Sequence, residues 1–267
     1  MPLYYFVSAA VAEVVGLDFF ALRAVSFVAT IFIFGVLFFA AREITGRWLA
    51  GVFAVCCYSA LFPHTAYWFD VARADSLWTL LLLSTAAALV SFLHTGKRWW
   101  LLVSVLAWAM AFFTKQASCF LLPFLGLAVW CWGSFRLAVA YACGIALVTA
   151  PVLWQLQQHT GEHFLFYTLQ MASSHGVTAF GFERFFKDMI FNSGGVLLVG
   201  ISFLFVVQAN GRQRAGWILL LAGFVTVSML SRAYAGAFFN VLMPVYAALA
   251  LFAACAYCQW VQIAGES

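Results

Sequence analysis

The sequence predicts an all-α polytopic transmembrane helical bundle, and three observations support this fold class. Of its 267 residues, 66% are hydrophobic and only 8% are charged, whereas soluble domains carry roughly 25% charged residues. The apolar stretches run for about 16 to 22 residues, close to the length that crosses a bilayer. They also lack the alternation of polar and apolar positions that marks a barrel strand. Since backbone polar groups in lipid must bond within their own segment, these stretches predict helices.

Nine candidate spans follow one another along the chain. They lie near residues 24–41, 47–62, 76–93, 99–114, 117–132, 136–157, 194–209, 216–231 and 237–258. We expect a single membrane domain over residues 1–267. Its parts are an outer interfacial segment (1–23), six spans (24–157), an outer loop with short helices (158–193) and three C-terminal spans (194–267). The first part is apolar but is interrupted by Glu13 and is too short to cross a core of about 30 Å, which favours an interfacial helix.

The basic residues of the short links suggest an orientation in the membrane. Arginine and lysine occur in the links 42–47, 94–98, 133–136 and 210–215, which alternate with the other connections along the chain. The positive-inside rule makes these links cytoplasmic. The intervening segments 63–75, 115–116, 158–193 and 232–236 would then lie on the extracytoplasmic side, where most of the acidic residues also fall.

Composition argues against several other function classes. The net charge of +4 comes from scattered basic residues, so it does not indicate a nucleic-acid partner. Seven cysteines are an odd number lying in or beside apolar runs, which argues against a disulfide framework. The histidines predicted on the outer side are scattered over its loops, and we predict no metal site.

The stretch FDVARADSLW places three charged residues, Asp70, Arg73 and Asp75, beside a long apolar run. Two interpretations are open. If the following helix begins near Asp70, Asp70 and Arg73 are neighbours in an exposed pair and Asp75 interacts with the helix dipole. Alternatively, charges at a helix mouth mark a site, because ionisable groups at membrane depth cost about 2.5–3.5 kcal/mol on insertion scales.

Lys115 favours the second interpretation. In AFFTKQASCF it is a lone cation between two apolar runs, and its ammonium group needs an anion such as a lipid phosphate or Asp75. The alternative is a lysine that extends to the interface. Arg232 and Tyr234 form a third group of polar residues on the outer side. The alternative is that Arg232 only anchors the chain at the membrane interface. His175 in ASSHG is a further candidate to approach a phosphate or the acceptor.

The order of these motifs resembles the GT-C superfamily of integral-membrane glycosyltransferases. The resemblance rests on PLYYFVSAAVAEVV, then ARADSLW, then FFTKQ followed by FLLPFL, with weaker support from GAFFNVLMPVYAAL. Closest are the bacterial members related to protein mannosyltransferases and to the aminoarabinose transferase of lipid A. The resemblance implies a GT-C-like bundle in the bacterial inner membrane, with its active site on the extracytoplasmic side.

Residue roles implied by the resemblance fall on the same outer segments. Pro2, Leu3 and Tyr4 resemble the family's PPLYY-type segment. Asp75 matches the acid of its A-R-x-D pattern and is the candidate catalytic residue, orienting the donor or a divalent ion. Lys115 matches the lysine of a TKG-like motif that holds the donor phosphate, with Gln116 in place of glycine. The candidate substrate-binding residues are Lys115, Arg73, Asp70, Arg232, Tyr234 and His175.

One feature departs from the family pattern. The family's main catalytic acid lies in an Asp-Glu pair after a first transmembrane helix and upstream of the PLYY-type segment. Only Met1 precedes Pro2 here. We therefore expect either a longer natural chain that carries the pair or a relative that lacks this acid.

The implied activity is transfer of a sugar from a polyprenyl-phosphate donor to a lipid, glycan or protein acceptor. Polyprenyl-phosphate sugar and membrane lipids are the expected partners, and whether a divalent cation is a cofactor stays open. Two alternatives remain. An inactive homologue would act as a lipid-binding or assembly partner. A transporter would more often carry ionisable groups at mid-membrane and paired broken helices.

Overall fold

The structure is a computed structural model that describes residues 2–161, 163–170, 176–234 and 236–265. Within these ranges the chain is helical and contains no β-sheet; the one extended pairing there is an isolated bridge between Val177 and Tyr234. The predicted all-α helical bundle is confirmed.

The helices occur in the order of the predicted spans. They are α1 (Leu3–Val15), α2 (Phe19–Thr45), α3 (Trp48–Ala60), α4 (Asp75–Thr95), α5 (Trp99–Thr114), α6 (Leu122–Trp132), α7 (Phe135–Thr160), α8 (Ala179–Val206), α9 (Gly211–Ala233) and α10 (Met243–Gly265). Short 3₁₀ helices cover Pro63–Thr65, Trp68–Asp70, Gln116–Leu121 and Phe239–Leu242. Each of the nine predicted spans overlaps one of the helices α2 to α10.

Among the described residues, six helices are long and apolar enough to cross a membrane. These are α2, α4, α7, α8, α9 and α10 with its preceding 3₁₀ turn. The helices α3, α5 and α6 are apolar but shorter, as is α1. The chain is therefore an integral membrane protein. The interfacial position of α1 stays a prediction, since its helix of 13 residues is compatible with it but does not test it.

The segment 158–193 matches the expected loop with short helices only in its first part, which contains a short α-helix (His163–Leu165) and a π-helical turn (Phe166–Gln170). Its second part belongs to α8, a continuous helix of 28 residues that begins at Ala179, where the Thr178 side chain accepts a hydrogen bond from the Gly181 backbone N–H. The apolar residues of this second part recur at helical spacing because they lie on this long helix. Phe185 is buried in the bundle, whereas Phe186 and Ile190 are exposed.

Local sequence sets where the helices begin and end. Asp18 caps α2, its carboxylate accepting from the Ala21 N–H at 3.0 Å, and α2 ends at Gly46, whose φ of 70° is the left-handed conformation that glycine adopts readily. Asn210 forms a capping box with Gln213 at the start of α9. These caps satisfy backbone groups that a helix end leaves unpaired.

The core of the bundle is α10. Its central apolar stretch is 94% buried, against 17% for α7, so α10 lies at the centre and α7 at the periphery. A helix that is apolar all round belongs in such a central position. Small residues allow close packing: a Cβ added at Gly200 of α8 would lie 3.2 Å from the Leu249 carbonyl oxygen of α10.

The chain crosses the bundle back and forth, which defines two ends. At the Asp75 end, α4 begins where α5 finishes, and α8 and α10 begin where α9 finishes. At the opposite end, called the Arg47 end, the Trp132 indole N–H donates to the Gln213 carbonyl at 3.0 Å and Arg212 donates to the Trp130 carbonyl. The short basic links thus gather at the Arg47 end, in agreement with their predicted alternation. Which side of the membrane each end faces stays a prediction.

Candidate active site

A buried ion pair lies at the Asp75 end. The Lys115 ammonium Nζ and the Asp75 carboxylate Oδ1 are 2.9 Å apart. Asp75 is the first residue of α4, where the helix dipole favours a negative charge. Its side chain is 5% exposed, against 26% for that of Lys115. The Lys115 side chain thus contacts the buried carboxylate and remains partly accessible to solvent.

A break between α5 and α6 presents Lys115. The residue is extended, with φ −153° and ψ 122°, because α5 has ended and a 3₁₀ turn begins at Gln116. Its ammonium lies over the Trp78 ring, 4.4 Å from the centroid, a favourable cation–π contact. Ser118 fixes both groups: its hydroxyl accepts from the Trp78 indole at 2.8 Å and donates to the Lys115 carbonyl at 2.9 Å.

Two further polar groups face the Asp75 carboxylate. Arg73 Nε is 3.9 Å from Oδ2, and the buried Asn240, just before α10, lies beside the same carboxylate. Two cations therefore surround one carboxylate, and the cluster of Arg73, Asp75 and Lys115 carries one net positive charge. Such a cluster suits an anionic ligand.

The segment that carries Arg73 is fastened to α2. The Ser26 hydroxyl donates to the Arg73 carbonyl at 2.9 Å, and the Thr30 hydroxyl donates to the Phe69 carbonyl at 2.6 Å. Ala66 and Tyr67 both adopt positive φ, 54° and 64°, a conformation that costs energy in residues with a side chain. The segment is held in one shape by α2 and α4 rather than by its own helix propensity.

Asp70 and Arg73 do not pair with each other, contrary to one sequence interpretation. Because α4 begins only at Asp75, the two residues are not on consecutive turns of a helix. Asp70 pairs with Arg23 of α2, and Arg73 approaches Asp75. The Arg23–Asp70 pair is largely exposed, at 59% and 34%, and exposed pairs contribute only about 0–1 kcal/mol.

Arg232 forms a second buried ion pair, with Asp188 of α8. Its Nε lies 2.9 Å from Asp188 Oδ2, and the two side chains are 6% and 15% exposed. The guanidinium also donates to the Ala237 carbonyl and stacks over Phe239, 5.0 Å from the ring centroid. Arg232 therefore joins α8 and α9 to the segment that carries Asn240. It is a buried structural connection rather than an exposed interfacial anchor.

Of the two remaining candidate residues, the structure describes Tyr234 but not His175. The Tyr234 backbone bridges to Val177, and its side chain lines a cavity of about 240 Å³ together with Arg184 and Arg232. Tyr234 is not among the described side chains that contact Asp75 or Lys115. His175 lies outside the described residues, so its candidate role is a prediction only.

The described residues contain no group of three or more His, Cys, Asp or Glu side chains that could hold a metal ion. Asp70 and Asp75 are each paired with a cation, which lowers their capacity to bind a second positive ion. Tyr4 of α1 is another ionisable group near the cluster, and burial raises the pKa of its phenol. Tyr4 is therefore neutral at physiological pH and acts through hydrogen bonding, as in its bond to the Leu22 carbonyl.

Sequence reasoning did not select Asp188, Asn240 or Trp78 as site residues. Asn240 had a usable signal, because an amide inside an apolar span needs a hydrogen-bonding partner. Asp188 had a similar signal, as an acid on the helical stretch that became α8. Trp78 had none that distinguishes it from a packing aromatic.

The comparisons with known proteins agree with this architecture. The sequence model of the family described as dolichyl-phosphate-mannose-protein mannosyltransferase matches residues 1–155, more than half of the chain. The chain belongs to this mannosyltransferase family. It is thereby a member of the GT-C superfamily, which confirms the resemblance. No curated protein sequence matches the chain at a significant level.

Two crystal structures share the fold of this family member. The structure of ArnT from Cupriavidus metallidurans bound to undecaprenyl phosphate matches with a TM-score of 0.75 and 18% identity, over 99% of this chain and 52% of that chain. The apo structure of the same protein matches with a TM-score of 0.73 and 18% identity, over 96% and 48%. The chain thus spans about half the length of these relatives.

Proposed function

We propose that this mannosyltransferase family member transfers a sugar from a polyprenyl-phosphate donor to a lipid, glycan or protein acceptor. Its cluster of Arg73, Asp75 and Lys115 would bind the donor phosphate at the extracytoplasmic face of a bacterial inner membrane. Family membership supports the reaction class, and the ArnT structure with bound undecaprenyl phosphate supports the donor class. The observation that carries the proposal is the net positive charge of this cluster.

Lys115 has the free donors that a phosphate needs. A protonated ammonium has three N–H bonds; one points to Asp75 and the Trp78 ring covers another side. With 26% of the side chain exposed, Lys115 can bind a phosphate oxygen while it keeps its contact with Asp75. Arg73, whose side chain is 62% exposed, offers a second cation beside it.

The charge of the cluster matches the charge that the reaction develops. In sugar transfer the bond between the anomeric carbon and the phosphate oxygen breaks, and its electron pair stays on that oxygen. The acceptor oxygen or nitrogen forms the new bond, and its proton passes to a base. The phosphate gains negative charge as the bond breaks, so preorganised cations stabilise the transition state more than the substrate.

Asp75 would position Lys115 for this role. Its carboxylate faces Lys115, Arg73 and Asn240, which leaves it poorly placed to accept a proton directly. We assign it the role of holding the ammonium charged and oriented. It could also orient the donor once the phosphate competes for Lys115.

The test is transfer of labelled sugar from a panel of polyprenyl-phosphate sugars in membranes that contain the full chain. Lys115→Met should lower transfer by about 100-fold, the loss typical of a preorganised group at the developing charge. Arg73→Gln, at an exposed position that tolerates change, should lower it by about 3- to 10-fold.

Matched controls lie at the Arg47 end. Lys97 and Arg98 are exposed there and lie far from the cluster, so Lys97→Met and Arg98→Gln should leave transfer unchanged. Equal transfer in all four variants would refute the assignment of the phosphate site. No transfer by the unmodified chain, with every donor tested, would refute the proposed reaction.

A second candidate function is a lipid-binding or assembly partner without transferase activity. The observation that favours it is the engagement of Asp75 by two cations, which leaves no free carboxylate in this cluster. Undecaprenyl phosphate binding distinguishes the two functions. Binding that depends on Lys115 without any sugar transfer would support the partner role.

A further inference from the structure

A cavity of about 390 Å³ lies at the Arg47 end of the bundle. It is formed where α2, α4, α8 and α10 finish and α9 begins, at the opposite end of α4 from Asp75. Since α4 has 21 residues, about 30 Å separate the two ends. The size falls within the range of about 300–1,000 Å³ that small-molecule sites occupy.

The lining combines a cation with amide groups. Arg47, His94, Gln208, Gln213 and Gln259 contribute polar side chains, and no carboxylate is found among the described lining residues. In the part of the chain that the structure describes, Arg47 has no carboxylate partner within ion-pair distance. The nearest acid along the chain, Glu43, accepts a hydrogen bond from Ser91 and does not line the cavity.

Gln259 indicates which hydrogen-bonding group a ligand in this cavity must supply. Its amide oxygen Oε1 is shielded from solvent and accepts no hydrogen bond from the residues that the structure describes, and leaving a buried acceptor unpaired is costly. A ligand that satisfies it must supply an N–H or O–H donor. An ammonium group would face Arg47, and the described lining residues supply no carboxylate to offset the repulsion, so a neutral hydroxyl is the better donor.

We propose that this cavity binds a phosphate group that carries neighbouring hydroxyl groups, as in a glycerol phosphate. The phosphate would contact Arg47, a guanidinium being well suited to phosphate, and a hydroxyl would donate to Gln259 Oε1. The side chains of Ile44, Leu93 and Ile263 also line the cavity and would contact the apolar part of a lipid. Basic pockets between transmembrane helices bind anionic lipid headgroups in this way.

Two sources supply this chemistry, and the experiment separates them. The full chain is placed in phosphatidylcholine nanodiscs, and native mass spectrometry measures binding of phosphatidylglycerol or of soluble glycerol 3-phosphate. Binding of the lipid alone identifies a headgroup site, and binding of the soluble compound identifies a metabolite site. Either result supports the proposal, and binding of neither overturns it.

Two substitutions test whether the ligand binds in this cavity. Arg47→Gln should weaken binding by at least about tenfold, the loss expected for a hydrogen bond to a charged group. Arg42→Gln is the control, because Arg42 is an exposed arginine at the same end that does not line the cavity. If both substitutions have the same effect on affinity, the proposal is wrong.

Gln259→Leu separates a role in ligand binding from a role in stability alone, because it should change the two properties in opposite directions. Removing the unpaired oxygen should raise the melting temperature of the ligand-free protein and, at the same time, weaken phosphatidylglycerol binding. An unchanged affinity would overturn the assignment of Gln259. This cavity is separate from the site of the proposed function. Sugar transfer at the Asp75 end therefore provides an independent readout if no binding is found in the cavity.

Discussion

Asp75 and Lys115 are 40 residues apart in the sequence, yet their carboxylate and ammonium groups form a hydrogen bond of 2.9 Å. The two side chains differ in burial: 5% of the Asp75 side chain is exposed, against 26% for Lys115. This asymmetry matters because the cost of breaking an ion pair depends on how well water can reach the charge that is left behind.

We therefore expect Lys115→Met to destabilise the protein more than Asp75→Asn. The lysine change leaves a buried carboxylate with only the more distant Arg73, at a cost of about 3 kcal/mol. The aspartate change leaves a partly hydrated ammonium and retains a hydrogen-bonding amide, at about 1–2 kcal/mol. The free energy of unfolding in detergent micelles measures both, and the opposite order would contradict the burial argument.

The double variant Asp75→Asn with Lys115→Met completes a double-mutant cycle with these two single variants. It should be more stable than Lys115→Met alone, because no buried charge is left unpaired. Lys97→Met, at an exposed position, should change the unfolding free energy by less than about 0.5 kcal/mol.

Ser118 should be essential for presenting Lys115. Ser118→Ala leaves the buried Trp78 indole N–H without its acceptor and removes one of two hydrogen bonds to the Lys115 carbonyl, which keeps the bond from the backbone N–H of residue 118. We therefore expect a loss of about 1–3 kcal/mol of unfolding free energy. Ser193→Ala is a matched control, since Ser193 is also buried but donates only to the Met189 carbonyl within its own helix. Ser193→Ala should change the free energy of unfolding by at most about 0.5 kcal/mol. Equal losses in the two variants would argue against a special role for Ser118.

The positions of the helices were predictable because each apolar stretch encodes its helix locally. All nine predicted spans overlap a helix for this reason. The start of α8 was predicted too late, since the charged residues Glu183, Lys187 and Asp188 interrupt its hydropathy. Only the packed bundle shows that Asp188 points to a buried arginine, whereas Glu183 and Lys187 pair on the exposed face.

The partners of the charged residues were much less predictable. Asp75 was one of two candidate anions for Lys115, and the structure brings these residues together. The pairs Arg23–Asp70 and Arg232–Asp188 join residues 47 and 44 positions apart. Such distances are set by helix packing, for which a single sequence carries little signal. The roles of these residues in sugar transfer remain predictions.

The buried Arg232–Asp188 pair should contribute more to stability than the exposed pair on the same helix. We expect Asp188→Asn to cost about 3 kcal/mol of unfolding free energy, because it leaves the Arg232 charge buried. Glu183→Gln breaks the Lys187–Glu183 pair, whose side chains are 61% and 57% exposed, and should leave the unfolding free energy nearly unchanged. Denaturant unfolding of both variants checks this. Similar stabilities would show that Arg232 finds another partner.

Two glycines of α8 should respond in opposite directions to alanine. A Cβ added at Gly181 would lie 2.6 Å from the Ala233 Cα and 2.8 Å from its carbonyl oxygen. Backbone atoms cannot rotate away as a side chain can, so the start of α8 would be pushed from the end of α9. The contact between the Thr178 N–H and the Ala233 carbonyl, now 2.9 Å, would lengthen with it. We expect Gly181→Ala to cost about 1–3 kcal/mol, as overpacking does.

At Gly194 an added Cβ meets nothing within 4 Å, and the position lies inside the same helix. Gly194→Ala should therefore stabilise the protein by about 0.5–1 kcal/mol through its higher helix propensity. Melting temperatures of the two variants in one detergent give the comparison directly. A stabilising Gly181→Ala would mean that α8 and α9 are farther apart at the Asp75 end than the structure places them. Because Arg232 adjoins Ala233, that result would also weaken the argument for a buried pair with Asp188.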